Sequence, residues 1–253
     1  MKNLLFLMIA FAAFSFTACD EDDETPMEET TGALELNFTL KYQDAPLVYF
    51  DDYYYEDSLL MGVSRVNMFF SNFFADDQLV KDVFFADFNE VSTSDLAAGG
   101  ITLRIDDVPT GSYSNLSFGV GVPEDMNEKE PADFPADHPL SRVSEYWAGW
   151  SSYIFAKYEG NLDLTDDGTR ETGFTFHTGG EGMYRNLSYD RPFTIDEDEL
   201  TEIRFEIELK EIFRLGPDEF LNLREIQGAH NEGDIDVMSS LSDNYSNAIR
   251  LRE

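Results

Sequence analysis

The chain has 253 residues, a length that accommodates one large β domain or two small ones. Its 51 acidic and 17 basic residues give a formal net charge of −34. Such a surface repels nucleic-acid phosphates, so we expect no nucleic-acid partner, and the charge favours either solubility or the attraction of cations.

The N-terminal segment has the pattern of a secretory signal, with Lys2, a short apolar run and a small residue before Cys19. Cys19 is the only cysteine, so no intrachain disulfide can form. Its position resembles the lipobox of bacterial lipoproteins, in which this cysteine is acylated after cleavage. We therefore predict a signal peptide over 1–18 and lipidation at Cys19. An ordinary secretory signal with an incidental cysteine is the alternative.

An acidic run, Asp20–Glu24, follows the cysteine and predicts a solvated, lipidated tether over 19–31. The run also resembles the surface-export signal of some Gram-negative lipoproteins, although a plain spacer has the same composition. The predicted location is the bacterial envelope, as an outer-membrane lipoprotein with surface exposure left open. The folded domain is predicted over 32–253.

Alternation of apolar and polar residues predicts strands from the start of this domain. In residues 34–42, LELNFTLKY, every even position is apolar, as in a strand with one face in the core. In residues 65–74, RVNMFFSNFF, both faces are apolar, which predicts a strand covered on both sides. In residues 116–122, Gly119 and Gly121 predict the close approach of a backbone or a bulky ring.

The remaining pattern continues in the same way. A segment rich in proline and acid between Pro123 and Arg142 predicts a long surface loop, and further strands are expected over 151–159 and 202–210. Helical patterns occur at 217–226, PDEFLNLREI, and in the C-terminal stretch 238–249. The sequence thus predicts an all-β protein, an antiparallel β-sandwich with long loops and a short C-terminal helix.

Two stretches stand out, EYWAGWSSYIFAKYEG at 145–160 and GFTFHTGG at 173–180. Trp147 and Trp150 would face opposite ways on a regular strand. A bend at Ala148-Gly149 would bring both rings to one side. The alternative is that both indoles simply fill the core.

The segments VSRVNMFFSNFF, VPTGSYSNLSFGVGVP, EYWAGWSSYIFAKYEG, FTFHTGG and DNYSNAI occur in this order. Together they resemble the copper-binding MbnP-like domain, a β-rich periplasmic or surface family linked to copper and methanobactin handling. The resemblance implies metal binding through histidine, with His177 at the matching position. In some members a tryptophan at the copper site is oxidised to kynurenine by a separate di-haem enzyme, which makes Trp147 and Trp150 the corresponding positions here. The implied partners are such an enzyme or a copper-uptake protein, besides the membrane reached through the lipid.

The other candidate copper ligands are His138, His230 and Met183. The two histidines fall in loops where relatives carry histidine. Met183 follows His177 across a glycine-rich turn, and its thioether suits the reduced ion. Two imidazoles and one soft or carbonyl ligand would make a three-coordinate site. The alternative for His177 is a residue at the core edge, hydrogen-bonded to backbone.

No nucleophile elbow, phosphate loop, HExxH or CxxC motif is present, so we expect a non-catalytic binding protein. An alternative is a surface glycan-binding or adhesion module, suggested by Tyr53, Tyr54 and Tyr55 beside acidic residues. The stretch DLTDDGT at 163–169 has the composition of a loose calcium turn, although a hairpin loop explains it equally simply.

Overall fold

The computed structural model describes residues 30–91 and 93–252, without the side chains of residues 90, 91 and 232. The predicted signal peptide, Cys19 and nearly all of the predicted tether lie outside the described residues. In the part that is described, no helix has both the length and the apolar character needed to cross a bilayer.

The described chain is mostly strand, with five short α-helices. The strands are β1 (Thr31–Tyr42), β2 (Ala45–Pro46), β3 (Tyr53–Tyr54), β4 (Leu60–Ala75), β5 (Gln78–Asp87), β6 (Ile101–Pro109), β7 (Gly111–Tyr113), β8 (Leu116–Val120), β9 (Tyr146–Trp147), β10 (Ser152–Leu162), β11 (Thr172–Gly179), β12 (Arg185–Tyr189), β13 (Phe193–Ile195), β14 (Leu200–Glu208), β15 (Arg214–Gly216), β16 (Glu219–Phe220), β17 (Gly228–Ala229) and β18 (Ile249–Leu251). The helices are α1 (Ser94–Gly99), α2 (Glu124–Asn127), α3 (Leu209–Ile212), α4 (Ile235–Asp243) and α5 (Tyr245–Ala248).

The strands form two main sheets and two small ribbons. The first sheet has five strands in the order β18-β14-β1-β2, with β6 also paired to β1. The second has nine strands in the order β12-β8-β4-β10-β11-β17, with β3 and β5 on β4 and β9 on β10. Among the described strands, only β1–β14 and β11–β17 pair in parallel. Both parallel pairs join segments that are distant in sequence, so no tight hairpin dictates their direction.

The core lies between the two sheets, as the sequence predicted for a sandwich. Phe38 of β1 stacks on Phe70 of β4 with ring centroids 4.6 Å apart. Phe205 of β14 and Phe118 of β8 close the same cluster at 5.2 and 5.8 Å from Phe38. The even positions of β1 are all buried, as the alternation in LELNFTLKY predicts, but Asn37 and Thr39 on the other face are buried as well, with Asn37 bonded to the Gly99 carbonyl of α1.

Strand β4 is buried on both faces, as predicted. Phe69 points away from the sandwich core and packs against Phe85 and Tyr153, with centroids at 4.8 and 6.0 Å. The segment between β8 and β9 covers this outer face, because Leu140 is buried and its carbonyl accepts the Tyr153 hydroxyl at 2.7 Å. The predicted surface loop therefore also acts as a lid on the second sheet, and it contains α2 and three short 3₁₀ turns.

The C-terminal helix is confirmed by α4 and α5, but the predicted helix at 217–226 is wrong. There the chain forms β16 and turns. Leu221 donates its N–H to the Phe213 carbonyl at 2.7 Å and accepts the Tyr55 hydroxyl at its own carbonyl at 3.1 Å. These bonds hold the apolar residues of the segment in the core in an extended conformation, so tertiary packing overrides the local helical pattern.

Gly119 of β8 and Gly121 just after it make room for bulky rings, as predicted. A Cβ at Gly119 would overlap the ring of Tyr184. A Cβ at Gly121 would lie 2.5 Å from the ring of Phe155, at a backbone φ of +112°. Glycine is required at position 121 because the backbone φ is positive and because the Phe155 ring leaves no space for a Cβ.

Candidate functional site

Strand β11 places its residues alternately on the two faces of the second sheet. Phe174, Phe176 and Thr178 point into the sandwich and are buried. His177 points to the outer face, where its side chain retains 14% of its exposure. The alternation thus carries the imidazole out of the apolar core while its neighbours fill that core.

The parallel pairing of β11 with β17 brings a second histidine to the same place. Thr175 lies beside Gly228 and Phe176 beside Ala229, so His230, the residue directly after β17, emerges next to His177. The two imidazole centroids are 6.3 Å apart. His230 is exposed, which leaves this side of the pair open to solvent.

The paired tryptophans cover the site from the β9–β10 hairpin. Trp147 pairs with Ser152, and the Trp150 N–H donates to the Trp147 carbonyl at 3.0 Å. This tight turn is the bend expected at Ala148-Gly149, and it brings the indole centroids to 4.5 Å. Trp147 lies 5.9 Å from the His177 ring. Both indoles are only partly buried, so they pack on the sheet from outside.

A carboxylate orients the His177 ring. Nε2 of His177 lies 2.8 Å from Oε1 of Glu159, and Arg65 lies 3.3 Å from the other oxygen of that carboxylate. The hydrogen bond from His177, followed by the charge of Arg65, lowers the pKa of Glu159 below its usual range. A neutral His177 that donates from Nε2 keeps its lone pair on Nδ1. This is the arrangement by which carboxylates commonly fix metal-ligating histidines.

A buried ion pair supports the hairpin beside this site. Lys157, opposite His177 in the β10–β11 pairing, lies 2.8 Å from Glu145, and the two side chains are 7% and 8% exposed. Lys157 also donates to the Ser144 carbonyl at 2.9 Å. These contacts attach Ser144 and Glu145, just before β9, to β10. They neutralise the Lys157 ammonium group and hold the start of the β9–β10 hairpin in place.

Neither His138 nor Met183 is brought into contact with His177. Nδ1 of His138 accepts the Leu140 N–H at 3.1 Å, its Nε2 lies 3.4 Å from Asp82, and its ring stacks on Phe134 at 4.6 Å.

The Met183 side chain is buried, with its sulfur 3.8 Å from the Ser242 hydroxyl of α4. Thr178 bonds Tyr245 of α5 at 2.8 Å, which puts these two helices on the inner side of β11, away from the imidazole of His177. The structure therefore groups His177, His230, Trp147 and Trp150, and it separates His138 and Met183 from them.

The tyrosine run at 53–55 and the acidic stretch at 163–169 have structural roles. Tyr55 is buried, and Tyr53 exchanges hydrogen bonds with the backbone of Val48, so of the three tyrosines only Tyr54 is largely exposed. They do not form one aromatic platform. In DLTDDGT, Asp163 accepts backbone N–H groups of Thr165 and Gly168 at 3.1 and 2.7 Å and shapes the β10–β11 hairpin loop.

His177 and His230 are the two candidate metal donors that the fold brings together. Among the described residues there is no group of three or more His, Cys, Asp or Glu side chains arranged to hold a metal. Metal–imidazole bonds of about 2 Å place the centroids of two rings on one ion up to roughly 6 Å apart. The 6.3 Å between the centroids of His177 and His230 lies at that limit.

Arg65 and Glu159 were not singled out from the sequence. The available signal was the pair of polar residues Lys157 and Glu159 alternating within the otherwise apolar run YIFAKYEG. That alternation indicates a polar patch on one face of β10. Their register against β11 and β4, which makes Glu159 a partner of both His177 and Arg65, is not visible in the sequence.

Comparisons with known proteins agree with this fold. A family model described as MbnP matches residues 31–238. The solved structure described as MbnP from Methylosinus trichosporium is 15% identical, covers 81% of this chain and 82% of its own, and superposes with a TM-score of 0.53. No curated protein matches the chain. At that identity, the structural likeness extends to the fold alone.

Proposed function

Because this chain belongs to the MbnP family, we propose that it is a lipid-anchored protein of the bacterial cell envelope that binds copper without catalysing a reaction. The observation that carries the copper assignment is the proximity of His177 on β11 to His230, which directly follows the parallel strand β17, with ring centroids 6.3 Å apart. Glu159 supports it by holding His177 in the orientation and tautomer suited to a ligand.

The ligand chemistry of His177 and His230 favours copper over zinc and calcium. Structural zinc sites are almost always four-coordinate, and calcium takes six to eight oxygen ligands. Two imidazoles alone satisfy neither requirement. A cuprous ion accepts low coordination numbers and binds imidazole, so His177 and His230 would hold it, with Trp147 beside them. A tryptophan face is also a favourable neighbour for a cation.

Trp147 is the indole that we assign to the site, because it lies 5.9 Å from His177. By analogy with its relatives, it is the candidate for oxidation by a separate di-haem enzyme, and that enzyme or a copper-uptake protein is the proposed partner. Intact-mass analysis of the peptide that spans Trp147 and Trp150, from protein purified out of its native envelope, would show an oxidised indole directly.

The proposed lipid anchor is based on the signal-like N-terminal segment and on Cys19. A Cys19→Ala variant would be released from membranes, whereas the parent chain would partition into detergent and label with palmitate. Retention of the variant in washed membranes would contradict lipidation at this residue.

Competition with a chromogenic cuprous chelator tests the copper site. We expect His177→Ala and His230→Ala each to weaken cuprous affinity by at least about tenfold, since each removes one of two ligands. His138→Ala is the matched control, because His138 lies elsewhere in the fold, and its affinity should equal that of the parent. Parent-like affinity in both ligand variants would contradict the assignment.

A further inference from the structure

A cavity of about 530 Å³ opens on the other side of the tryptophan hairpin. Phe155 and Tyr184 line it, and its rim is formed by α2 and the turn after β11. The volume falls in the range typical of small-molecule sites.

The apolar part of this cavity is fixed by close packing. Phe155 is buried and sits where Gly121, at a φ of +112°, leaves space for its ring. The Tyr184 hydroxyl lies 3.4 Å from Ser71 and 3.5 Å from Asn72, so that ring is also held in place. Phe155 in β10 and Tyr184 just before β12 are therefore both held in place by their neighbours.

The charged side chains that line the opening are all acidic. Glu124, Glu128 and Glu181 line the cavity, and no lysine or arginine does. Within the described part of the chain, none of the three carboxylates takes part in an ion pair. Arg185 donates to the Gly182 and Tyr184 carbonyls beside the cavity, and its charge is paired with Asp243 at 2.6 Å. Unpaired carboxylates over apolar walls concentrate a negative potential at the mouth of the cavity.

We propose that this cavity binds an organic cation with an apolar or aromatic body. The ammonium group would lie among the carboxylates of Glu124, Glu128 and Glu181, and the apolar body would lie against Phe155 and Tyr184. Aromatic faces attract such cations in addition to burying their apolar surface. An anionic ligand would meet three like charges and is excluded by the same arrangement.

The cavity is distinct from the proposed copper site but borders the same hairpin. A Cβ at Gly180 would lie 3.6 Å from Cε3 of Trp150, so this indole packs beside the cavity wall, whereas Trp147 lies beside His177. A Trp147→Phe variant leaves Trp150 as the single indole of the chain and makes it a reporter of occupancy.

Titration of Trp147→Phe with benzyltrimethylammonium at constant ionic strength, followed by Trp150 emission and by calorimetry, tests the proposal. We expect saturable binding with one site per chain, and no binding of benzoate. Replacing Glu128 and Glu181 together by glutamine should weaken binding by roughly fivefold or more. No saturable binding, or benzoate binding as tightly, would overturn the proposal.

A second pair of substitutions separates a specific site from the general charge of the protein. Glu197→Gln with Glu199→Gln makes the same charge change at exposed positions between β13 and β14. We expect that control to bind within twofold of the parent, and equal weakening in both double variants would overturn the proposal. His177→Ala should leave ammonium binding unchanged, so failure of the copper assignment and failure of this one are distinguishable.

Discussion

The two faces of β11 place adjacent residues in opposite surroundings. On the inner face, Phe174 and Phe176 are buried, and Phe176 packs edge-on against Phe213 with centroids 5.3 Å apart. On the outer face, His177 contacts a carboxylate, an indole and a second imidazole. A shift of one residue along the strand therefore separates apolar packing from polar chemistry.

The outer face of β11 tolerates more change than the inner face. The inner face must be filled to close the sandwich, whereas the outer face is covered only by a hairpin and a loop. Arg65, Glu159 and His177 satisfy one another there without help from the core. Substitutions on the outer face are expected to change binding more than stability, and substitutions on the inner face the reverse.

Phe176→Ala should give the largest effect, a loss of about 3–5 kcal/mol in the free energy of unfolding, because it opens a cavity among buried rings. Urea unfolding, monitored by circular dichroism, measures this loss of free energy. Thr175→Ala, one residue earlier and on the outer face, should stay within about 0.5 kcal/mol of the parent. A loss below about 1 kcal/mol for Phe176→Ala would break the distinction between the faces.

Glu145→Gln tests the one place where the outer face carries a buried charge pair. The substitution leaves the Lys157 ammonium buried without its counter-charge and should cost about 3 kcal/mol. The double variant Glu145→Leu with Lys157→Met should cost clearly less, since it leaves no charge buried. Equal losses in the single and double variants, measured by the same unfolding experiment, would show that the pair is not desolvated as described.

Glu159→Ala should weaken cuprous affinity by about 10–100-fold while changing stability little, because His177 loses the group that orients it. Glu159→Gln retains an acceptor for the Nε2 proton and should lose less. Nitrogen-15 spectra of the metal-free protein provide a separate readout, since the parent is expected to show the Nε2–H tautomer of His177. Equal populations of both tautomers in the parent would contradict the orienting role.

His138→Ala should have the smallest effect. It removes the side-chain acceptor for the Leu140 N–H and should cost about 1 kcal/mol of stability. Cuprous affinity should not change. A tenfold loss of cuprous affinity in this variant would place His138 in the metal site, which contradicts its separation from His177 and His230 in the fold.

The strands were predictable because their alternation is local. The even positions of β1 and the two apolar faces of β4 can be read from neighbouring residues, and the structure confirms them. The helix expected at 217–226 is absent because a hydrogen bond to Phe213, outside the segment, and one from Tyr55, distant in sequence, hold Leu221 extended. Periodicity within a short window does not contain that information.

The candidate site was only partly visible for the same reason. His177 and the tryptophan pair stand out as rare residue types in two short stretches. His230 reaches His177 only through the parallel pairing of β11 with the two-residue strand β17, which no local pattern predicts. Met183 follows His177 closely in sequence, but it packs against α4 on the opposite side of the sheet.

X-ray absorption at the copper edge of the cuprous-loaded protein tests the central claim most directly. We expect two imidazole nitrogens at about 2 Å and no sulfur neighbour, because His177 and His230 share the outer face while Met183 is buried on the inner one. A sulfur scatterer at about 2.3 Å, or a spectrum without imidazole scattering, would contradict it.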